Sequence, residues 1–262
     1  MSRQRLRVVR ADPAGNVTLL VLDPVPLLQR PRIAVELMER FGGEQVGFLV
    51  PPRLGGEARL EMMGGEFCGN ALRCLGAYRA REAGPGRHAL EISGCGRVLA
   101  TETGLPGGSV RSEMPLPERT DMWHGMKTAV FPGIVHALHR GEPEDEGVVR
   151  SMTAALAEAY ALPAAGVMFL READMTMTPA VYVRDTDTLF FESSCASGSA
   201  AAAAVLALER GESLCCGLRQ PGGVITARAE LRGGALARLT IEGPVLLGEV
   251  FEAEIDGGGD LD

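Results

Sequence analysis

The stretch that decides the fold of this chain is Gly64-Gly65-Glu66-Phe67-Cys68-Gly69-Asn70-Ala71-Leu72-Arg73-Cys74-Leu75-Gly76-Ala77-Tyr78. Its glycines allow a tight turn, and after Cys68 the apolar residues recur at helical spacing, at Ala71, Leu72, Leu75 and Tyr78. The pattern therefore predicts a helix with Cys68 at its start. Free backbone N–H groups and the positive end of the helix dipole favour a thiolate there and attract a carboxylate.

The second half of the chain repeats this arrangement. The segment Glu192-Ser193-Ser194-Cys195-Ala196-Ser197-Gly198-Ser199 leads into an alanine-rich run over 200–210, which is a strong helix former. Gly96 follows Cys68 by 28 residues, and Gly223 follows Cys195 by 28 residues, each in a glycine-rich turn. The repeat predicts two similar halves, each with one cysteine at a helix start, that face a shared cleft.

The repeat also divides the chain. We predict an N-terminal half over residues 1–118 and a C-terminal half over 119–249, with the C-terminal strand 250–262 crossing back to the first half. Helical periodicity predicts further helices over 33–41 and 148–160. A strand is expected over 129–138, and it contains His136.

Composition excludes several classes of protein. The net charge of −8 argues against a nucleic-acid surface, and no apolar run reaches the roughly 18 residues of a membrane helix. The N-terminus is basic but lacks the long apolar stretch of a signal peptide. We therefore expect a cytoplasmic protein with six reduced cysteines, no nucleic-acid or membrane partner, and a homodimer as the candidate assembly.

Cofactors are not expected. Lys127 is the only lysine, so a pyridoxal phosphate enzyme would have no other residue for its Schiff base. No two cysteines have the C-x₂-C spacing of a zinc site, and glycine-rich nucleotide fingerprints are absent from the sequence. We predict neither a cofactor nor a metal.

Two matched thiols suggest one particular reaction. Inverting a carbon that carries an acidic hydrogen needs a base on one face and an acid on the other, and Cys68 and Cys195 would supply them. The two helix starts would hold the α-carboxylate, where charge builds up during the reaction. Glu192 and His136 are candidates to tune the thiols, although a lone histidine is more often structural. Asn16, in the turn after the first strand, has an amide for substrate or simply forms the turn.

At these residues the chain resembles the cofactor-independent amino-acid racemases and epimerases of the diaminopimelate epimerase fold. That family implies an α/β (α+β) fold of two pseudo-symmetric domains, each a mixed sheet wrapped around a central helix, with the active site in the cleft between them. Ala196 departs from the glycine that the family has after its second cysteine, which adds a Cβ beside the anion site. The resemblance implies catalytic roles for Cys68 and Cys195 and substrate-binding roles for Asn16, Gln45, Gly69, Asn70, His136, Glu192, Ala196, Ser197 and Gly198.

The motifs are more similar to the histidine racemases of opine-type metallophore biosynthesis, notably Glu44-Gln45-Val46-Gly47-Phe48 and Gly65-Glu66-Phe67-Cys68. In that resemblance Glu44 and Glu66 are candidates to meet the imidazole of histidine, and each could equally be a solvated loop carboxylate. Ser193 stands where diaminopimelate epimerases have an arginine for the distal end of their substrate. The alternatives are a racemase or epimerase for another amino acid, diaminopimelate included, and a non-catalytic amino-acid-binding relative, which would need neither thiol.

Overall fold

Two compact units make up the chain, Met1–Val110 with Pro244–Asp262 and Arg111–Gly243. The computed structural model describes residues 3–256, so residues 1–2 and the end of the predicted C-terminal strand, 257–262, lie outside the described residues. The predicted domains 1–118 and 119–249 stay a prediction, because compactness does not show which segments fold independently. Among residues 3–256, no helix is long and apolar enough to cross a membrane.

The structure contains four α-helices and seventeen strands within residues 3–256. They are β1 (Arg3–Asp12), β2 (Thr18–Val21), α1 (Arg30–Phe41), β3 (Gln45–Val50), β4 (Ala58–Met62), α2 (Gly69–Ala83), β5 (Arg87–Ile92), β6 (Leu99–Glu102), β7 (Ser109–Met114), β8 (Arg119–Trp123), β9 (Met126–Phe131), β10 (Ile134–Arg140), α3 (Glu146–Tyr160), β11 (Ala164–Arg171), β12 (Thr176–Val183), β13 (Thr188–Phe191), α4 (Ala196–Arg210), β14 (Leu214–Gln220), β15 (Gly223–Arg232), β16 (Ala235–Pro244) and β17 (Leu246–Asp256).

In the first unit, a mixed sheet surrounds α2. The strand β1 pairs antiparallel with both β17 and β2. The pairs β2–β3 and β4–β5 are parallel, and they are connected through α1 and α2 respectively. The antiparallel pairs β3–β4 and β5–β6 complete the sheet. Because α2 contacts β2, β4, β5, β6 and β17, it forms the centre of the unit.

The second unit repeats this plan. The parallel pair β10–β11 is connected through α3, and β12 also runs parallel to β14, with α4 in the connection between them. The strands β9, β10, β11, β14 and β15 all contact α4. Each unit is therefore a mixed sheet around a central helix, which confirms the predicted fold class.

Burial explains why these two helices are central. Ala71, Leu72 and Leu75 on α2 are completely buried, and Tyr78 is 9% exposed. On α4 the run from residue 198 to 207 is buried on every face, since alanine side chains let strands approach closely all round the helix. Hydrophobic burial around each helix thus stabilises its own unit.

One predicted strand was wrong. The segment expected as a single strand over 129–138 forms two antiparallel strands, β9 and β10, separated by a turn at Pro132 and Gly133. Gly133 has a φ of +82°, a conformation that turns the chain back on itself. His136 consequently lies on β10, where it pairs with Gly166 of the parallel strand β11.

Candidate active site

Cys68 occupies the N-cap of α2. Its backbone is extended, with φ −131° and ψ 111°, and its sulfur accepts a hydrogen bond from the Ala71 N–H at 3.4 Å. Cys68 is partly buried, whereas Gly69 and Asn70, which follow it, are buried. The sulfur therefore lies at the positive end of a fifteen-residue helix, where a negative charge is stabilised.

The loop before Cys68 is braced by the turn that follows β5. Ser93 Oγ accepts a hydrogen bond from the Met62 N–H at 2.9 Å and donates one to the Glu66 carbonyl at 2.8 Å. Gly94, with φ +68°, lies so close that a Cβ there would come within 2.3 Å of the Phe67 nitrogen. Only glycine fits at this position, and the close contact holds the thiol-bearing loop in place.

Glu66 lies within this loop and is exposed. Its carboxylate folds over Gly64, where a Cβ would come within 2.6 Å of Oε2. Partial desolvation raises the pKa of Glu66, against the opposing effect of backbone N–H groups of Glu66 and Gly64. The carboxylate is thus held by its own loop, two residues before Cys68.

Asn16, Glu44 and Gln45 form one hydrogen-bonded group beside β2 and β3. Gln45 Nε2 donates to Asn16 Oδ1 at 2.6 Å and to Thr18 Oγ1 at 2.8 Å, and Asn16 Nδ2 donates to Glu44 Oε2 at 3.1 Å. Desolvation raises the pKa of Glu44, and the bond from Asn16 opposes this rise. The structure therefore brings together three of the residues singled out in the sequence.

A fourth residue, Arg73 on α2, contacts the turn between β1 and β2, which carries Asn16. Arg73 Nη2 donates to the Asn70 side-chain oxygen at 2.6 Å and to the Pro13 carbonyl at 2.9 Å. The turn from Asp12 to Asn16 includes Ala14, whose φ is +79° although it is not glycine. Arg73 thereby ties the start of α2 to the strained turn that carries Asn16.

Cys195 takes the same position in the second unit, as the N-cap of α4. Its φ of −117° and ψ of 109° nearly match those of Cys68, and its sulfur accepts from the Gly198 N–H at 3.3 Å. The Cys195 N–H donates to Gln220 Oε1 at 2.7 Å, and Gln220 Nε2 donates to Ser199 Oγ at 2.9 Å. Ser199 Oγ in turn donates to the Cys195 carbonyl at 2.6 Å. Both the N–H and the carbonyl of Cys195 are therefore hydrogen-bonded to side chains.

The electrostatic surroundings of Cys195 favour its protonated form. Cys195 is only 4% exposed, and burial raises its pKa well above the ordinary value for a thiol. The carboxylate of Glu192 raises the pKa further, whereas Ser197 and the Gly198 N–H lower it. The expectation that a helix start alone would stabilise the thiolate is therefore wrong for Cys195, because burial and a neighbouring carboxylate outweigh the helix dipole.

His136 reaches this site through Ser197. His136 Nε2 lies 2.9 Å from Ser197 Oγ, which lies 3.6 Å from Cys195 Sγ. Burial lowers the pKa of His136 to about 3, so its ring is uncharged at neutral pH. The other ring nitrogen, Nδ1, faces Gly166, where a Cβ would come within 2.5 Å.

Small residues are required at the start of α4. A Cβ at Gly198 would come within 2.1 Å of Met168 Sδ and 3.1 Å of Cys195 Sγ. Ala196 is 4% exposed and is the first residue of α4, with a φ outside the left-handed region. Its Cβ is therefore accommodated without backbone strain, and it does not distort the helix start.

Comparisons with known proteins identify the family of the chain. Residues 5–250 match the family described as "Histidine racemase CntK N-terminal domain". The chain belongs to this family. It is 30% identical over 219 residues to a histidine racemase of Fusobacterium nucleatum, covering 76% of this chain and 80% of that protein. It is 24% identical over 250 residues to a histidine racemase of Staphylococcus aureus, covering 86% of this chain and 89% of that one.

A solved structure shows the same fold. The hydroxyproline epimerase of Agrobacterium vitis, with bound trans-4-hydroxy-L-proline, superposes with a TM-score of 0.67 at 13% identity, covering 97% of this chain and 94% of the other. The likeness to this epimerase supports two similar halves in the fold. As a member of the CntK family, the chain is an isomerase, of the amino-acid racemase class, which excludes the non-catalytic alternative.

Two observations concern the residue types that hold pyridoxal phosphate or a metal ion. Lys127 Nζ forms an ion pair with Glu209 at 3.7 Å on the second unit. No group of three or more histidine, cysteine or acidic side chains within residues 3–256 is arranged to hold a metal ion. The side chains that surround the two thiols carry amide, hydroxyl and carboxylate groups.

Several supporting residues were missed by sequence reasoning. The sequence analysis assigned no role to Arg73, Ser199, Gly166, Met168 or Gln220. Their partners are distant in sequence: Gln220 contacts Cys195 from 25 positions away, and Arg73 contacts Pro13 from 60 positions away. The available signal in the sequence was an arginine between Leu72 and Cys74, in the part of α2 where apolar residues recur at helical spacing.

Proposed function

We propose that this racemase interconverts L- and D-histidine without a cofactor, using Cys68 and Cys195 as its two acid–base groups. The observation that carries the proposal is the matched geometry of the thiols. Each is the N-cap of the central helix of its unit, and each sulfur accepts an N–H bond of similar length, 3.4 Å for Cys68 and 3.3 Å for Cys195. A reaction that treats both faces of one carbon alike needs two equivalent groups.

In the proposed reaction, the thiolate of Cys68 removes the α-proton, and the electron pair of the broken C–H bond remains on the α-carbon and its carboxylate. The thiol of Cys195 then donates its proton to the opposite face, which forms the new C–H bond and leaves a thiolate. In the reverse direction the two cysteines exchange roles.

The N–H groups at the helix starts would stabilise the developing negative charge. Gly69, Asn70, Ser197 and Gly198 lie in the first turns of α2 and α4, where backbone N–H groups lack helical acceptors. Donors held in place before reaction bind a growing charge more strongly in the transition state than in the substrate. We therefore assign the α-carboxylate of the substrate to these helix starts.

Resting protonation states follow from burial. Because Cys195 is buried beside Glu192, it carries its proton before substrate binds, and Cys68 is the more exposed thiol. The enzyme at rest is thus prepared for the enantiomer whose α-hydrogen faces Cys68. For the other enantiomer the proton must first move to Cys68, and the hydroxyl of Ser197 stabilises the Cys195 thiolate that results.

Histidine as the substrate rests on two carboxylates of the first unit. Glu44 and Glu66 both have raised pKa values because of desolvation, and a carboxylate accepts the N–H of an imidazole well. Asn16 and Gln45 hold Glu44 in position. The relatives from Fusobacterium and Staphylococcus are histidine racemases, which supports the same substrate here.

The proposal extends to the destination of the product. The motifs around Glu44 and Cys68 resemble the histidine racemases that serve opine-type metallophore biosynthesis, so we propose that D-histidine is used in such a pathway. A cytoplasmic location, a homodimer and the absence of nucleic-acid partners belong to the same proposal.

Proton exchange in deuterium oxide tests the substrate directly. Each single amino acid and diaminopimelate would be incubated with the protein, and loss of the α-proton signal would be followed by NMR. We expect exchange with L- and D-histidine and at least a hundredfold less with the others, because the imidazole N–H groups of histidine are to pair with Glu44 and Glu66. Faster exchange with diaminopimelate or another amino acid would refute histidine as the substrate. Exchange by a Cys68→Ser, Cys195→Ser double variant at the parental rate would refute the thiol mechanism.

A further inference from the structure

Arg73 is the largest fully buried side chain of the first unit that carries a charge. It is 0% exposed, and it lies on α2 five residues after Cys68. Burial lowers the pKa of Arg73 to about 10, which still leaves the guanidinium charged at neutral pH. Burying a cation costs free energy unless a negative group lies close to it.

No carboxylate in residues 3–256 forms an ion pair with Arg73. The guanidinium hydrogen-bonds only to neutral oxygens, of Asn70 and Pro13, and Nε and Nη1 have no hydrogen-bond partner among the described residues. The ionisable groups that act on its charge are the thiols of Cys74 and Cys68. The candidates to compensate its charge are these two cysteines, since Cys74 is the next residue of α2 and Cys68 is the N-cap of the same helix.

Cys74 does not provide this compensation. It is completely buried, and desolvation raises its pKa to about 12, so it remains a neutral thiol near pH 7. The other titratable groups in this region are Asp12 at the end of β1, Glu66 before Cys68, and Cys95 in the turn after β5. The groups that act on the charge of Arg73 do not include these three. Cys68, partly exposed at the helix start, is the remaining partner.

Arg73 also determines how Asn70 meets a ligand. Because the side-chain oxygen of Asn70 accepts from Arg73 at 2.6 Å, the other end of that amide is an NH₂ donor, which suits a carboxylate. The same Nη2 holds the Pro13 carbonyl and with it the turn to Asn16. One side chain thus orients two of the proposed substrate-binding residues.

We propose that Arg73 is a positioning residue of the racemase site, which orients Asn70 and the Asn16 turn and whose buried charge favours the thiolate form of Cys68. This inference rests on the proposed function for its substrate, but its effect on Cys68 does not depend on which amino acid is bound. Removing the charge should make Cys68 harder to ionise. Arg73→Lys keeps the positive charge but removes the planar guanidinium group. We expect this variant to leave the Cys68 thiolate as stable as in the parent and to weaken substrate binding.

The test is the pH dependence of iodoacetamide alkylation at Cys68, measured by peptide mass spectrometry with exposed Cys215 of the same molecule as the internal reference. In the parent protein we expect Cys68 to be alkylated with a lower midpoint pH than Cys215. In Arg73→Gln the midpoint should rise by about one pH unit, which is about tenfold slower alkylation below the midpoint. Arg79→Gln, which removes a second arginine from α2, is the matched control and should leave the midpoint unchanged.

Arg73→Lys separates positioning from charge and provides a second variant if the glutamine variant does not fold. We expect an unshifted alkylation midpoint and a KM for histidine raised at least tenfold, with a smaller change in kcat. A parental KM in Arg73→Lys would overturn the positioning role. A Cys68 midpoint at or above that of Cys215 in the parent, or equal midpoints in the parent and a folded Arg73→Gln, would overturn the charge effect, even if histidine proves not to be the substrate.

Discussion

Replacing Gly166 with alanine tests the packing that holds His136 against Ser197. The new Cβ would lie 2.5 Å from His136 Nδ1, 2.9 Å from its Cε1 and 2.9 Å from Met168 Cε. These distances are too short for real contacts, so the ring must move away. Overpacking of this kind costs about 1–3 kcal/mol, and loss of the bond between His136 and Ser197 adds about 0.5–1.5 kcal/mol. We expect the free energy of unfolding to fall by about 2–4 kcal/mol.

A matched substitution separates this clash from a general effect of alanine in a strand. Gly217, on β14 of the same unit, would place its Cβ no closer than 3.4 Å to Val224 Cγ1. Urea unfolding followed by circular dichroism should show Gly217→Ala within about 0.5 kcal/mol of the parent. In a His136→Ala background, Gly166→Ala should cost much less than in the parent. If Gly166→Ala is as stable as Gly217→Ala, the proposed contact with the ring is refuted.

Four further predictions concern the site. Cys68→Ser and Cys195→Ser should each nearly abolish racemisation yet release chloride from opposite enantiomers of a β-chloro amino acid, because elimination needs one base; equal preference in chloride assays would contradict this. Since Glu192 raises the pKa of Cys195, Glu192→Gln should move the alkylation profile of Cys195 to lower pH, and an unmoved profile would count against the coupling. His136 has a folded pKa of about 3 against 6.5 in the unfolded chain, so the unfolded state binds more protons between these values. Stability should fall by up to about 1.4 kcal/mol per pH unit as the pH drops through this range, and the fall should flatten in His136→Asn. Lys127→Arg should racemise at the parental rate without pyridoxal absorbance, because Lys127 pairs with Glu209; loss of activity restored by pyridoxal phosphate would contradict it.

The features that could be predicted from sequence are those with local causes. A glycine turn, a cysteine and apolar residues at helical spacing are sufficient to predict a helix with a thiol at its N-cap, because capping involves residues only three positions apart. The same reasoning predicted α3 from its periodicity, although the helix begins at Glu146 rather than 148. The split of residues 129–138 into β9 and β10 was missed. The apolar strand pattern continues on both sides of Pro132 and Gly133, and it was therefore taken as one strand.

By itself, the sequence determined two similar halves, a thiol at the start of each central helix, and membership of a racemase class. Only the tertiary structure decided how those thiols are tuned. Burial and Glu192 raise the pKa of Cys195, although the local motif predicts the opposite. Arg73 donates a hydrogen bond to the Pro13 carbonyl, and Gln220 accepts one from the Cys195 N–H. Both bonds join segments that are distant in sequence. The physical reason is that hydrogen-bond capping acts within one turn, whereas desolvation and charge depend on every element packed around a group.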